Sequence, residues 1–191
     1  MSNKKVPMLN RHIRALSERL VQGEPLTRNM LSWAKQHVEW SLAEGDYTAH
    51  DGVLMLVIDV NGNAAMTVGE YEPLADTSAK ALRARSAEAR SEADETGVAP
   101  ELLASVNDGE LAFVAPADEC LCGTATLIEQ LAQTKGISVT RVDIPAQLKG
   151  ALFLVSDEHG VVPAADADAA EADAAMVTFF ADGYEKLRAR R

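Results

Sequence analysis

Residues 121–163 constrain the fold of this chain more than any other stretch. A helix opens on Gly123-Thr124-Ala125-Thr126, carries Leu127, Ile128 and Leu131 on one face and stops at Gly136, and a strand is expected over 137–144. Gln147 and Lys149 then lead into a buried strand over 151–155, followed by Ser156 and by Gly160-Val161-Val162-Pro163. A helix set between apolar strands must lay its single apolar face on a sheet, so this segment predicts a layered α/β or α+β domain. It also has a chemical implication. The first N–H groups of a helix have no intrahelical partners and sit at the positive end of its dipole, so a glycine beside small hydroxyl residues offers an anion a seat.

The flanking segments supply the rest of a mixed sheet flanked by helices. Ile13, Leu16, Leu20 and Val21 recur at helical spacing, and Gly23 ends that helix. A second helix starts at Thr27 as N-cap, carries Leu31, Ala34, Val38 and Leu42 as its stripe, and ends near Gly45. Trp33 and Trp40 share a face of it and read as core anchors or as packing at a subunit contact, with stacking on a ligand as a further reading. Residues 53–60 and 64–68 flank Asn61-Gly62-Asn63 as a hairpin, with Asp59 as turn chemistry. Residues 79–95 read as a charged, alanine-rich peripheral helix, and 98–114 as two strands around Asn107-Asp108-Gly109. Residues 164–175, mostly alanine and acid, read as a solvated loop or loose helix; 176–187 form an amphipathic helix with Val177, Phe180, Tyr184 and Leu187 inward. The organisation is a small N-terminal α/β lobe (1–75), a charged connector helix (76–96) and a larger α/β domain (97–191).

Composition narrows the function classes. The chain has 191 residues, 47% of them hydrophobic, which suffices for a buried core. A net charge of −11 argues against a nucleic-acid partner, because phosphate neutralisation needs a basic face. The basic clusters, Lys4/Lys5 with Arg11 and Arg14, Arg83/Arg85/Arg90, and Lys186/Arg188/Arg190/Arg191, are interleaved with acids or lie near the ends, as solvated helix faces do. No apolar run approaches the ~20 residues of a membrane helix, and the first 20 residues lack a signal-peptide core, so a cytoplasmic protein is expected. Cys120 and Cys122 are too close in sequence for a relaxed disulfide and read as reduced thiols. His12, His37, His50 and His159 show no metal-ligand spacing with them, so no metal site is expected.

The order of these elements resembles the class IV aminotransferases, pyridoxal-phosphate enzymes that include branched-chain and D-amino-acid transaminases and aminodeoxychorismate lyase. The resemblance is carried by Asp108-Gly109-Glu110-Leu111 with Pro116, by Leu121-Cys122-Gly123-Thr124-Ala125, by Gly136-Ile137-Ser138-Val139, and by Leu154-Val155-Ser156 before Gly160-Val161-Val162-Pro163. Arg11-His12-Ile13-Arg14-Ala15-Leu16 is similar to the family's His-x-x-Arg-Leu helix in a shifted frame. The resemblance implies a phosphate cup at Gly123, Thr124 and Ala125 with Ser156 as a hydroxyl donor, Lys80 as the Schiff-base lysine, and Glu101 as the carboxylate facing the pyridine nitrogen. It implies pyridoxal 5'-phosphate as cofactor, an amino acid as substrate and a homodimer that completes its sites across a subunit contact.

The chain departs from the family pattern as well. Lys80 lacks the Asn-Tyr that follows the family's lysine, the Glu-x-x-x-x-Asn-x-Phe pattern is absent, and Thr126 stands where an arginine is expected. Two readings stay open. One is a shortened class IV enzyme acting through Lys80, Glu101 and the Gly123 cup; the other is a divergent, non-catalytic α/β protein that meets a partner through its acidic surface or its Trp33/Trp40 face.

Overall fold

Leu102, Leu103, Ala104, Ser105 and Val106 are all buried, as are all residues from Ala151 to Ser156. Adjacent strand residues face opposite sides, so both faces of this part of the sheet are covered. The computed structural model describes residues 1, 4–45, 52–59, 61 and 63–189. His50, Val60, Gly62, Arg190 and Arg191, all named above, lie outside the described residues.

The chain divides into two compact units. The first takes in Met1–Pro73 and the chain end from Leu187. Its elements are α1 (Leu9–Ser17), β1 (Leu20–Val21), β2 (Glu24–Pro25), α2 (Arg28–Glu44), β3 (Gly52–Ile58) and β4 (Ala64–Glu70). Helix α1 ends earlier than its apolar spacing suggests. Gln22 and Gly23 both take positive φ, which turns Leu20 and Val21 back against Glu24 and Pro25 as a miniature hairpin. Thr27 caps α2 by accepting a hydrogen bond from the Met30 amide at 3.2 Å, and Ala34, Val38 and Leu42 are buried as the stripe predicts. Trp33 and Trp40 are not core anchors: they are 44% and 64% exposed, and Trp33 stacks on His37 with ring centroids 4.9 Å apart. One helical face cannot hold both the aliphatic stripe and these rings. Strands β3 and β4 pair in antiparallel register from Gly52↔Glu70 to Ile58↔Ala64. The Asp59 carboxylate accepts the amides of Asn61 and Asn63, which is the turn role expected of it.

The second unit, Leu74–Lys186, contains α3 (Ala79–Thr96), β5 (Leu102–Asn107), β6 (Glu110–Val114), α4 (Gly123–Thr134), β7 (Val139–Val142), a 3₁₀ turn (Pro145–Gln147), β8 (Ala151–Ser156), β9 (Gly160–Pro163) and most of α5 (Glu171–Arg188). The five strands follow the order β7-β6-β5-β8-β9, with β6 and β7 parallel across the α4 crossover and the other pairs antiparallel. One core joins Leu102, Val106, Phe113 and Phe153 to Ile128 of α4 and Phe180 of α5. On the other face Leu103, Leu152 and Leu154 pack with Leu82 of α3. Helix α3 thus packs on this face of the sheet. Its narrow face of Leu82, Ser86 and Ala89, spaced four and three apart, is enough to dock it. The Ser86 hydroxyl donates to the Glu101 carbonyl at 3.0 Å and accepts the Leu103 amide at 3.2 Å.

The acid-rich stretch before α5 is not simply solvated either. Asp166 accepts the Ala79 amide at the start of α3 at 2.6 Å, and buried Asp173 accepts the amides of Asp108 and Gly109 in the β5–β6 turn at 3.1 and 3.0 Å.

Gly160 starts β9 at φ +74°, and a Cβ there would lie 2.3 Å from Tyr184 Cε1 of α5. Gly160→Ala is expected to cost about 1–3 kcal/mol, through overpacking added to the strain of a positive φ. Gly97→Ala, at φ +69° with open space around it, should cost less. Denaturant unfolding of the two variants measures the difference.

Candidate functional site

Strands β6, β7 and β8 run in one direction, since both β6 and β8 are antiparallel to β5 and β7 is parallel to β6. Their carboxyl ends therefore meet at one end of the sheet, the usual location of ligand sites in open α/β sheets. Four chain segments converge there. The β8–β9 turn carries Asp157, Glu158 and His159; α4 begins at Gly123; β5 is preceded by Glu101; and α3 contributes Arg85 and Arg90. The register Leu102↔Val155 sets Glu101 level with Ser156.

The first three amides of α4 are engaged by the protein itself. Asp157 accepts the Gly123 amide at 3.2 Å through Oδ2 and the Thr124 amide at 2.7 Å through Oδ1. Cys122 is the N-cap, its sulfur accepting the Ala125 amide at 3.4 Å, and the Cys122 carbonyl accepts the Thr126 amide at 3.1 Å. The Gly123, Thr124 and Ala125 amides, which have no partner within the helix, are thereby paired with side chains. The Ser156 hydroxyl accepts the His159 amide at 2.8 Å, which tightens the turn that aims Asp157 at the helix. The Thr124 hydroxyl is buried with no hydrogen-bond partner among the described residues.

Glu101 is buried beside this turn. Arg85 Nε donates to its Oε2, and His159 Nε2 lies 3.5 Å from its Oε1. Burial pulls the Arg85 pKa down, but the Glu101 hydrogen bond and the charges of Glu101, Glu92 and Glu158 outweigh it, so the net shift is upward. Arg90 bridges the Glu119 carboxylate at 2.7 Å and the Val114 carbonyl at 3.1 Å, fixing the loop that precedes α4. Arg141 holds the same loop through the carbonyls of Pro116, Ala117 and Glu119.

The structure thus gathers Glu101, Gly123, Thr124, Ala125 and Ser156 at one end of the sheet. Lys80 is elsewhere. It is exposed in the first turn of α3, next to Ala79, whose amide meets Asp166 beyond the end of β9, at the opposite end of the sheet from Ser156 and Gly160. Asp157, His159 and Arg85 are the members that sequence reasoning passed over. The signal for the first two was the run Asp157-Glu158-His159 between two buried strands.

No protein-family model and no functionally curated sequence matches this chain. Solved structures do. A hypothetical aminotransferase from Mycobacterium tuberculosis in its PLP-bound form aligns over 98% of this chain and 86% of its own, at 13% identity and a TM-score of 0.61. A protein proposed to be a 4-amino-4-deoxychorismate lyase aligns over 94% of this chain and 86% of its own, at 15% identity and a TM-score of 0.60. A fold IV transaminase from Curtobacterium pusillum aligns over 94% and 79%, at 15% identity and a TM-score of 0.56. The chain has the fold of the fold IV aminotransferases.

That fold implies pyridoxal phosphate, and the residues present here do not fit its phosphate. The amides that would receive it are held by a carboxylate, and an anion added about 4 Å from that charge meets a repulsion of about 4 kcal/mol at an effective dielectric of 20. The Thr124 hydroxyl alone does not replace those donors. The Glu101 carboxylate is taken up by an arginine and lies beside an imidazole.

Burial, and then the charge of Asp157, push the Cys122 thiol well above its ordinary value of 9.0. Cys122 is accordingly expected to resist alkylation in the native protein while half-buried Cys120 reacts, as peptide mapping after iodoacetamide treatment would report. A raised acid pKa contributes stability that is complete below the unfolded value and is lost as pH rises toward the folded one. Unfolding free energy should therefore fall more steeply above about pH 9 in the native sequence than in Cys122→Ala.

Proposed function

We propose that this protein is a divergent relative of the fold IV transaminases that does not carry out pyridoxal-phosphate chemistry and acts as a binding protein. The observation that carries this reading is the Asp157 carboxylate on the Gly123 and Thr124 amides. A side-chain carboxylate satisfies the same donors that a phosphate would, and does so without a ligand. The exposed position of Lys80 supports the same conclusion, because a Schiff-base lysine needs a desolvated or charge-tuned setting to lose its proton. The exposed rings of Trp33 and Trp40 support the binding half of the reading, since large aromatic surfaces are enriched where proteins meet partners.

Two measurements test it. Protein incubated with pyridoxal phosphate and desalted should be colourless; visible absorbance that persists, and is lost in Lys80→Ala, would restore the enzymatic reading. Asp157→Gly removes a charged acceptor from two amides and should cost about 2–3 kcal/mol. Inorganic phosphate at millimolar concentration should raise the melting temperature of this variant and leave the native protein unchanged. A phosphate-dependent rise in the native protein would mean that Asp157 does not close the helix start to anions.

A further inference from the structure

Glu101, Glu158 and His159 form a cluster of metal-ligating side chains beside the β8–β9 turn. One donor atom from each lies within 4.8 Å of the others. Two of the three side chains are sequestered, with 10% of the Glu101 side chain and 5% of the His159 side chain exposed. Glu101 Oε1 is the unusual atom. It is buried without a hydrogen-bond partner among the described residues, although it faces His159 Nε2 at 3.5 Å. A buried carboxylate oxygen left unpaired is costly, and native structures leave few such atoms without a reason.

We propose that this cluster is a binding site for a first-row divalent cation of the zinc type, held by Glu101 Oε1, Glu158 and His159 Nε2. The separation fits. Two ligands each about 2.1 Å from a tetrahedral ion lie about 3.4 Å apart, close to the 3.5 Å between the carboxylate oxygen and the imidazole nitrogen. Arg85 does not compete for this oxygen, because its hydrogen bond falls on Oε2. It plays the part that an outer partner plays at many metal sites, fixing the orientation of a ligating carboxylate through its second oxygen. Glu158 is the exposed member, and one of its carboxylate oxygens lies within 4.8 Å of the other two donor atoms. One imidazole with two carboxylates suits zinc, cobalt or manganese rather than the all-oxygen shells of magnesium and calcium. Three protein donors leave a fourth position open to water. Histidine and cysteine spacing in the sequence gives no sign of the site, because its ligands come from the start of β5 and from the β8–β9 turn, which only the sheet register brings together.

Equilibrium dialysis of the full chain against zinc, with the bound metal quantified by atomic spectroscopy, tests the site. One zinc per chain is expected, with affinity falling about tenfold or more in Glu158→Gln and in His159→Gln. Because Glu158 is exposed, its substitution should leave the circular dichroism spectrum and melting temperature of the metal-free protein unchanged. Cobalt in place of zinc should give visible d–d bands without the near-ultraviolet charge-transfer bands of a thiolate ligand. The assignment is overturned by native protein that retains no stoichiometric zinc, by binding that both variants keep at full affinity, or by a cobalt spectrum with thiolate bands that vanish in Cys120→Ser.

Discussion

The pairing of β5 with β8 is the constraint on which the remaining geometry of the second unit rests. Both strands are buried on both faces, so their register is specified twice, once by Leu102, Ala104 and Val106 against α4 and α5 and once by Leu103 and Leu154 against α3. A slip of one residue would exchange the two faces of a strand and put Leu103 where the Phe153 and Phe180 core needs a smaller side chain. With Leu102 opposite Val155, the position of Glu101 follows, and so does the place where β8 stops and its turn begins. Glu101, Ser156, Asp157, Glu158 and His159 all lie within a few residues of that point.

The β8–β9 turn converts this register into electrostatics. Ser156 accepts the His159 amide, which folds the turn so that Asp157 points at α4 while His159 points at Glu101. One turn therefore closes the helix start and presents an imidazole to a buried carboxylate. These two outcomes favour different guests. A filled helix start disfavours anions, whereas a carboxylate with one unpaired oxygen next to an imidazole favours a cation. On the proposed reading, the end of the sheet where the strands' carboxyl ends meet suits a cation rather than an anion.

Local chemistry made much of the fold legible in the sequence. Thr27 as N-cap, Asn107-Asp108-Gly109 as a turn and Gly123 as a helix start each depend on residues within a few positions of one another, and each is found where the spacing indicates. What escaped depends on distant partners. Asp157 meets amides 34 and 33 residues away, and Asp166 meets one 87 residues away. No window along the chain contains both ends of such a bond. The docking of helix α3 is hard to read from sequence for a related reason: a face made of Leu82, Ser86 and Ala89 carries little hydrophobic signal, yet it suffices where the opposing sheet supplies Leu103, Leu152 and Leu154. The tryptophans mislead in the opposite sense, because ring size suggests burial while the stripe of Ala34, Val38 and Leu42 already occupies the inward face.

The same distinction changes the meaning of the chain's acidity. A net charge of −11 suggests an electrostatic surface, and by composition alone the run of alanine and acid over residues 164–175 is a solvated segment. Yet Asp157, Asp166 and Asp173 each accept backbone amides from a different element, at the start of α4, the start of α3 and the β5–β6 turn. Each sits where successive N–H groups point the same way and lack partners in their own element, at a helix start or in a tight turn. A carboxylate offers two acceptor oxygens on a short side chain, and Asp157 and Asp173 each use theirs on two amides. The acids that look like surface charge are in these positions the tie points between α3, α4, α5 and the sheet. Replacing these three with neutral residues that cannot accept the amides would reduce the net negative charge and leave the layers less firmly connected, so at these positions charge and connectivity change together.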